Sequence, residues 1–214
     1  MTETQWLTDD DPERWLYPER VQERSARKLR LFCVACSRRI WTLLPEECQL
    51  AVETAEDYAD DRATSSVLLR MAEIARRIAN NADGNAQDAA DAAASTAEPD
   101  IQNYAFSVSV CAAKAVWISG PDQTAELAAQ ANILREIFGN PFRPAPFTPA
   151  WRTSDVLLLA DGIYAERAFD RLPILADALQ DAGCDTAAIL DHLRDPNASH
   201  VRGCWALDLV LGEE

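Results

Sequence analysis

SARKLRLFCVACSRRIWTLL, residues 25–44, is the stretch on which the fold turns. Leu29, Phe32, Cys33, Cys36, Ile40, Leu43 and Leu44 recur at three- and four-residue steps, the spacing of one face of an α-helix. Arg27, Lys28, Arg30, Arg38 and Arg39 fall mostly off that stripe. The spacing predicts a central core helix that stops near Leu44-Pro45, with the other helices laid against it.

Upstream, residues 1–19 are polar but carry Trp6, Leu7, Trp15, Leu16 and Tyr17, enough to pin an arm onto the body. Asp10-Asp11-Pro12-Glu13 reads as a helix start with proline in the first turn, and Pro18 as its end. Downstream, Pro45-Glu46-Glu47 opens a helix with acids at its positive end, carrying Cys48, Val52, Ala55 and Ala59 inward to about Asp61. Ala63 to Asn80 forms another, with Val67, Leu68, Met71, Ile74 and Ile78 inward. Residues 85–97 (NAQDAADAAASTA) contain no large apolar side chain and are expected to be a weak surface helix or a mobile segment. A helix after Glu98-Pro99-Asp100 carries Tyr104, Val108, Cys111, Ala115 and Ile118, and Gly120-Pro121 breaks it. The next helix, Pro121 to Phe138, carries Leu127, Ala131, Leu134, Ile137 and Phe138.

Residues 139–152, beginning GNPFRPAPFTPA, hold four prolines, which exclude helix and central strand. An extended strap is expected there, dropping Phe142, Phe147 and Trp151 onto the body. Thr153 caps a following helix, two shorter helices run from Phe169 to Ala182 and Thr186 to Leu193, and His200 to Leu211 closes the pattern. The expected fold is all-α: a multi-helix bundle or irregular helical array with a proline-rich extended strap. Its parts, expected to make one domain together, are an N-terminal bundle (1–138) around helix 25–44, the strap (139–152) and a C-terminal helical part (153–214) packed on the bundle.

A chain of 214 residues with 48% hydrophobic content can bury a core without metal or disulfides. The net charge of −15 argues against nucleic acid and anionic membranes as partners. Residues 20–39 depart from that balance, with seven basic side chains against Glu23 alone. No apolar run reaches the ~20 residues of a membrane span. With no apolar leader at the start, the expectation is a cytoplasmic protein with reduced thiols.

FGNPFRP (138–144), RAFDRLPILADALQDAGCD (167–185), HVRGCWALDLVLG (200–212) and KLRLFCVACSRRIW (28–41) together resemble a group of uncharacterised bacterial proteins, numerous in planctomycetes and found in other GC-rich bacteria. The group's cysteines fall at the places of Val34, Cys36 and Ser37, so Cys33 has no counterpart and Ser37 departs from the pattern. The resemblance implies a bacterial, cytoplasmic protein. It brings no activity and no catalytic residue.

Four kinds of chemistry are open to these residues. Cys33-x-x-Cys36 and His200-x-x-x-Cys204 have zinc-ligand spacing, with Cys184 and His192 near in sequence. The competing expectation is that the thiols are core residues, since buried cysteine is common. His200 with Cys204 is the nearest nucleophile–base pair, although Cys204 beside Trp205 reads as packing. Asp57, Asp60 and Asp61, or Asp155, Asp161 and Glu166, could form a carboxylate site. Last, Arg38, Arg39, Arg143, His200 and Arg202 are basic spots that could converge into an anion- or partner-binding face. The alternative for these is internal pairing to Asp170, Asp177 or Asp208. No phosphate-binding glycine loop, Gly-x-Ser-x-Gly or His-Glu-x-x-His occurs.

The pattern therefore favours a non-enzymatic protein-interaction or regulatory module, acting on an unknown protein partner or a small anion, with no cofactor. A small-molecule or metal-dependent enzyme with a site between helices is the alternative.

Overall fold

A computed structural model describes residues 2–17, 22–117 and 123–213. Pro18, Arg20, Ile118 and Gly120-Pro121, on which the sequence expectations also drew, lie outside the described residues. All regular structure among the described residues is helical: α1 (Glu3–Thr8), α2 (Glu13–Leu16), α3 (Ala26–Arg39), α4 (Glu46–Ala59), α5 (Ser65–Ala79), α6 (Gly84–Thr96), α7 (Ile101–Trp117), α8 (Gln123–Phe138), α9 (Ser154–Glu166), α10 (Leu172–Asp181), α11 (Ala187–Arg194) and α12 (Trp205–Leu211). No described helix is long and apolar enough to cross a membrane.

The chain divides into two compact units: Asp9–Ile133, and Met1–Thr8 with Leu134–Glu214. The break therefore falls within α8 rather than at the strap, and the first helix of the expected N-terminal arm belongs with the C-terminal unit.

In the unit Asp9–Ile133, α3 starts where Ser25 accepts the Lys28 amide on its side chain, the usual service of a serine cap. It ends at Arg39, and Trp41–Leu43 continue as a single 3₁₀ turn. From Leu29 to Ser37 every residue is buried, so α3 is enclosed nearly all round. Arg30, expected off the apolar stripe, is among them. Its guanidinium donates to the carbonyls of Thr96 (3.0 Å), Glu98 (2.8 Å) and Pro99 (2.8 Å). These oxygens lie at and beyond the end of α6, where backbone acceptors lack helical partners and a positive charge opposes the helix dipole.

Helix α6 corrects the expectation for 85–97. Its Ala89, Ala90, Ala92, Ala93 and Ala94, followed by Ala97, are fully buried, and α3, α4, α5 and α7 all pack on it. Alanine leaves the backbone thin, so neighbouring helices approach closely on several sides, and the best helix former supplies the stiffness. The faces of two other helices also differ from expectation. Val67 points outward and is half exposed. In α7 Val108 and Ala115 are buried as expected, together with Ile101, Ala105 and Ala112, whereas Tyr104 and Cys111 are only half-buried.

In the unit formed by Met1–Thr8 and Leu134–Glu214, the core is Val156, Ala160 and Ile163 of α9, Leu172, Leu175 and Leu179 of α10, Ile189, Leu190 and Leu193 of α11, and Ala206, Leu207 and Val210 of α12. Thr153 caps α9 by accepting the Val156 amide. Residues 139–148 contain no helix, and Pro149–Trp151 form a 3₁₀ turn. Phe147 and Trp151 pack on this core, edge to face at 5.3 Å, whereas Phe142 stays 44% exposed. Arg152 donates to the carbonyls of Leu209 and Val210, both at 2.9 Å, at the end of α12.

A buried histidine, thiol and carboxylate cluster as the candidate functional site

Glu136 sits in the last turn of α8, between Ile133 and Ile137, and is buried. The helix stops because Gly139 takes φ +62°, a conformation glycine adopts without Cβ strain. A Cβ there would also stand 3.1 Å from Cγ of Trp205. Trp6 donates its indole N–H to the Gly139 carbonyl at 3.0 Å, which fixes the same turn from the other side.

His192 lies near the end of α11 and His200 in the loop that follows. That loop is ordered by the Asp195 side chain accepting the Asn197 amide (2.9 Å) and by a turn in which the Cys204 amide donates to the Val201 carbonyl (3.1 Å). Gly203, at φ +85°, supplies the left-handed residue of that turn, which Val201-Arg202-Gly203-Cys204 needs to bring the thiol beside His200.

These segments deliver four donor groups to one point. His200 Nδ1 is 2.9 Å from Glu136 Oε1, and His192 Nε2 is 3.3 Å from Glu136 Oε2. Cys204 Sγ is 3.3 Å from His192 Nε2 and 4.0 Å from His200 Nδ1. All four ligand-type atoms lie within 4.8 Å of one another. The imidazole rings meet edge to face at 5.2 Å, and His192 also rests against Trp205 at 4.9 Å.

Burial pushes the Glu136 carboxyl up, but the hydrogen bonds and charges of His192 and His200 outweigh it, so the group sits below the ordinary carboxylate value. Burial pushes the Cys204 thiol well above its ordinary value, and the neighbouring Glu136 carboxylate adds to this, against weaker opposition from the Leu207 and Ala206 amides. Metal-free, the pair His200 and Cys204 thus holds a protonated thiol shut away from solvent. That is the reverse of an activated cysteine nucleophile.

The remaining expected ligands are not members of the cluster. Cys33 and Cys36 are buried in α3, where burial pushes both thiols up, Cys33 to about 12. Cys184 packs in the apolar core of its unit. All six cysteines are free.

The five basic residues expected to form an anion- or partner-binding face each have partners within the chain. Arg38 pairs with Glu56 and lies over the Trp41 ring. Arg39 grips buried Glu126 through Nε (2.8 and 3.0 Å) and Nη2 (2.8 Å). Gln130 donates to that carboxylate (3.2 Å), and Ser109 donates to Gln130. Arg143 pairs with Glu3 at 2.8 Å, His200 with Glu136 as above, and Arg202 lies over the Tyr164 ring and donates to the Ala165 carbonyl at 3.3 Å. Internal pairing therefore occurs, with Glu56, Glu126, Glu3 and Glu136 as carboxylate partners. Asp177 takes Arg194 at 2.6 Å. Arg38 and Arg39 belong to one unit and the other three to the second. Of the expected carboxylate sets, Asp57 and Asp60 share Arg62, and Glu166 pairs with Arg171.

Sequence reasoning missed Glu136, which stands 64 residues from His200. The available signal was a single acid inside the apolar run Ile133-Leu134-Arg135-Glu136-Ile137, since a buried carboxylate needs partners.

No family model, curated protein or solved structure matches the chain.

Proposed function

We propose that the protein is a non-enzymatic interaction or regulatory module that works in the cytoplasm of a bacterium; its N- and C-terminal strings resemble the planctomycete-rich group. The observation that carries this reading is an open groove of about 520 Å³ on the unit Asp9–Ile133, lined by Leu69, Ala72, Glu73, Arg76, Arg77 and Glu98. Leu69 is 45% exposed, and exposed Val67 stands two residues before it. An apolar wall edged by both signs of charge suits a protein segment better than a small reactant. Arg76 is already held by Asp91 (3.1 Å) and Glu98 (3.2 Å), which fixes that edge of the groove.

A second reading, a metal-dependent enzyme, is favoured by the Glu136–His192–His200–Cys204 cluster alone. Catalytic centres keep a position open for water or substrate. Here four protein donors close on one another and Cys204 is fully buried, which supports holding rather than turnover.

The test is affinity capture from the native host with the intact chain and with Leu69→Glu plus Arg77→Glu. Both sites are exposed, so the circular dichroism of the variant should match that of the parent. A protein captured by the parent, cross-linked to residues of α5 and lost with the variant, supports the reading. Capture that survives the double change contradicts it.

A further inference from the structure

We propose that Glu136, His192, His200 and Cys204 form a four-coordinate binding site for a zinc-class divalent transition-metal ion that holds the second unit together. The proposal stands apart from the interaction reading, because it concerns a buried centre in Met1–Thr8 with Leu134–Glu214, whereas the groove belongs to Asp9–Ile133.

The argument begins with distances. Zinc binds nitrogen and oxygen at about 2.0–2.1 Å and thiolate sulfur at about 2.3 Å, so the edges of its tetrahedron run about 3.3–3.8 Å. The nitrogen–carboxylate distances, to different oxygens of Glu136, are 2.9 and 3.3 Å, the nitrogen–sulfur distances are 3.3 and 4.0 Å, and the four ligand atoms all lie within 4.8 Å of one another. These distances straddle that range, so the four donors stand close enough to converge on one ion. The donors come from three places in the chain: the last turn of α8, α11 and the start of α12 with its preceding loop. An ion joining them ties elements distant in sequence, as structural zinc sites do.

Chemistry then restricts the ion. One sulfur, two imidazole nitrogens and one carboxylate oxygen are too soft a set for magnesium or calcium, which take oxygen. The set suits zinc, cobalt(II) or iron(II). Charge also balances: one carboxylate and one thiolate neutralise a divalent cation, so the buried centre carries no net charge. The reaction is a ligand exchange without redox change. M²⁺ loses water, the Cys204 S–H proton goes to solvent, and the metal–sulfur, two metal–nitrogen and metal–oxygen bonds form.

The alternative is a hydrogen-bonded knot with no metal. In it His192 Nε2 stands 3.3 Å from both Glu136 Oε2 and the Cys204 thiol, and its N–H serves the carboxylate. A central cation instead takes a lone pair from each of the four groups at once.

The test uses untagged full-length protein stripped with a chelator, then given zinc or cobalt(II) ions alone. The expected result is one equivalent taken up. X-ray absorption at the zinc edge should find one sulfur and three nitrogen or oxygen neighbours. Cobalt(II) should give tetrahedral ligand-field bands and a thiolate charge-transfer band. Cys204→Ser should lose the charge-transfer band, and Glu136→Gln should weaken uptake at least tenfold. The X-ray measurement needs no variant, so a misfolded substitution does not blunt the test. A chain that takes up no stoichiometric metal is a hydrogen-bonded knot only, and the proposal fails. It fails equally if the bound zinc has two or more sulfur neighbours or none.

Discussion

In the unit Asp9–Ile133 the middle helix, α6, meets its neighbours through alanines, whereas the unit Met1–Thr8 with Leu134–Glu214 fills its centre with leucine, isoleucine and valine and sets a polar knot beside them. Each unit also has an arginine that closes a helix end. Arg30 serves α6 from a site 2% exposed, and Arg152 serves α12 from a half-buried one. The same device is thus used at two depths. The difference teaches that a unit built on small side chains depends on exact volume and on every buried acceptor being met, while the other depends on its cross-chain polar contacts.

The two arginines provide the sharpest way to break that comparison. Arg30→Met removes three donated hydrogen bonds, including the one to the carbonyl of fully buried Thr96. It should cost about 3 kcal/mol or more in urea unfolding. Arg152→Met exposes its two carbonyls to water and should cost about 1 kcal/mol. Equal losses would mean that depth does not separate the two sites.

Ala90→Leu or Ala93→Leu forces extra volume between helices that touch α6, and each should cost about 1–3 kcal/mol. Ala188→Leu, on an exposed face of α11, should stay within about 0.5 kcal/mol. Tolerance at Ala90 and Ala93 would show that α6 is a surface helix after all.

Alkali should also weaken the first unit. Burial raises the Cys33 thiol from 9.0 to about 12 and the Cys48 thiol to about 11. A folded-state value above the unfolded one means full stability below pH 9, lost as pH rises from 9 through 11 to 12. The slope is of order 1 kcal/mol per pH unit for Cys33. Cys33→Ala should flatten the loss between pH 9 and 12, as followed by unfolding midpoints. A slope unchanged by the substitution contradicts that assignment.

The smallest effect is expected at Val67, outward in α5. Val67→Thr should leave stability within about 0.5 kcal/mol. This separates Val67 from Leu68, whose change to Ala should cost about 2–5 kcal/mol.

These contrasts follow how far each region could be read from the residues. Helix α3 was legible because large apolar side chains mark its period. The all-α class followed from the same signal repeated down the chain. Helix α6 was opaque because hydropathy patterning counts large side chains, and the burial of alanine is decided by what surrounds it. Val67 was misplaced by one helical position, since apolar content around α5 is broad enough to fit two faces. In the site, His200-x-x-x-Cys204 and nearby His192 carried a visible spacing. Glu136 joined them only through tertiary packing. The arginine partners Glu56 and Glu126 were hidden for the same reason: many acids are available, and only folding selects between them.

The centre's chemistry has its most direct test in ¹⁵N spectra of the two imidazoles, since the chain has two histidines. With no metal added, His192 Nε2 and His200 Nδ1 face Glu136 and should each carry hydrogen. Added zinc should strip hydrogen from those same nitrogens, leaving His192 protonated on Nδ1 and His200 on Nε2. Spectra in which both rings keep their original hydrogens at one equivalent of zinc would contradict a metal centre.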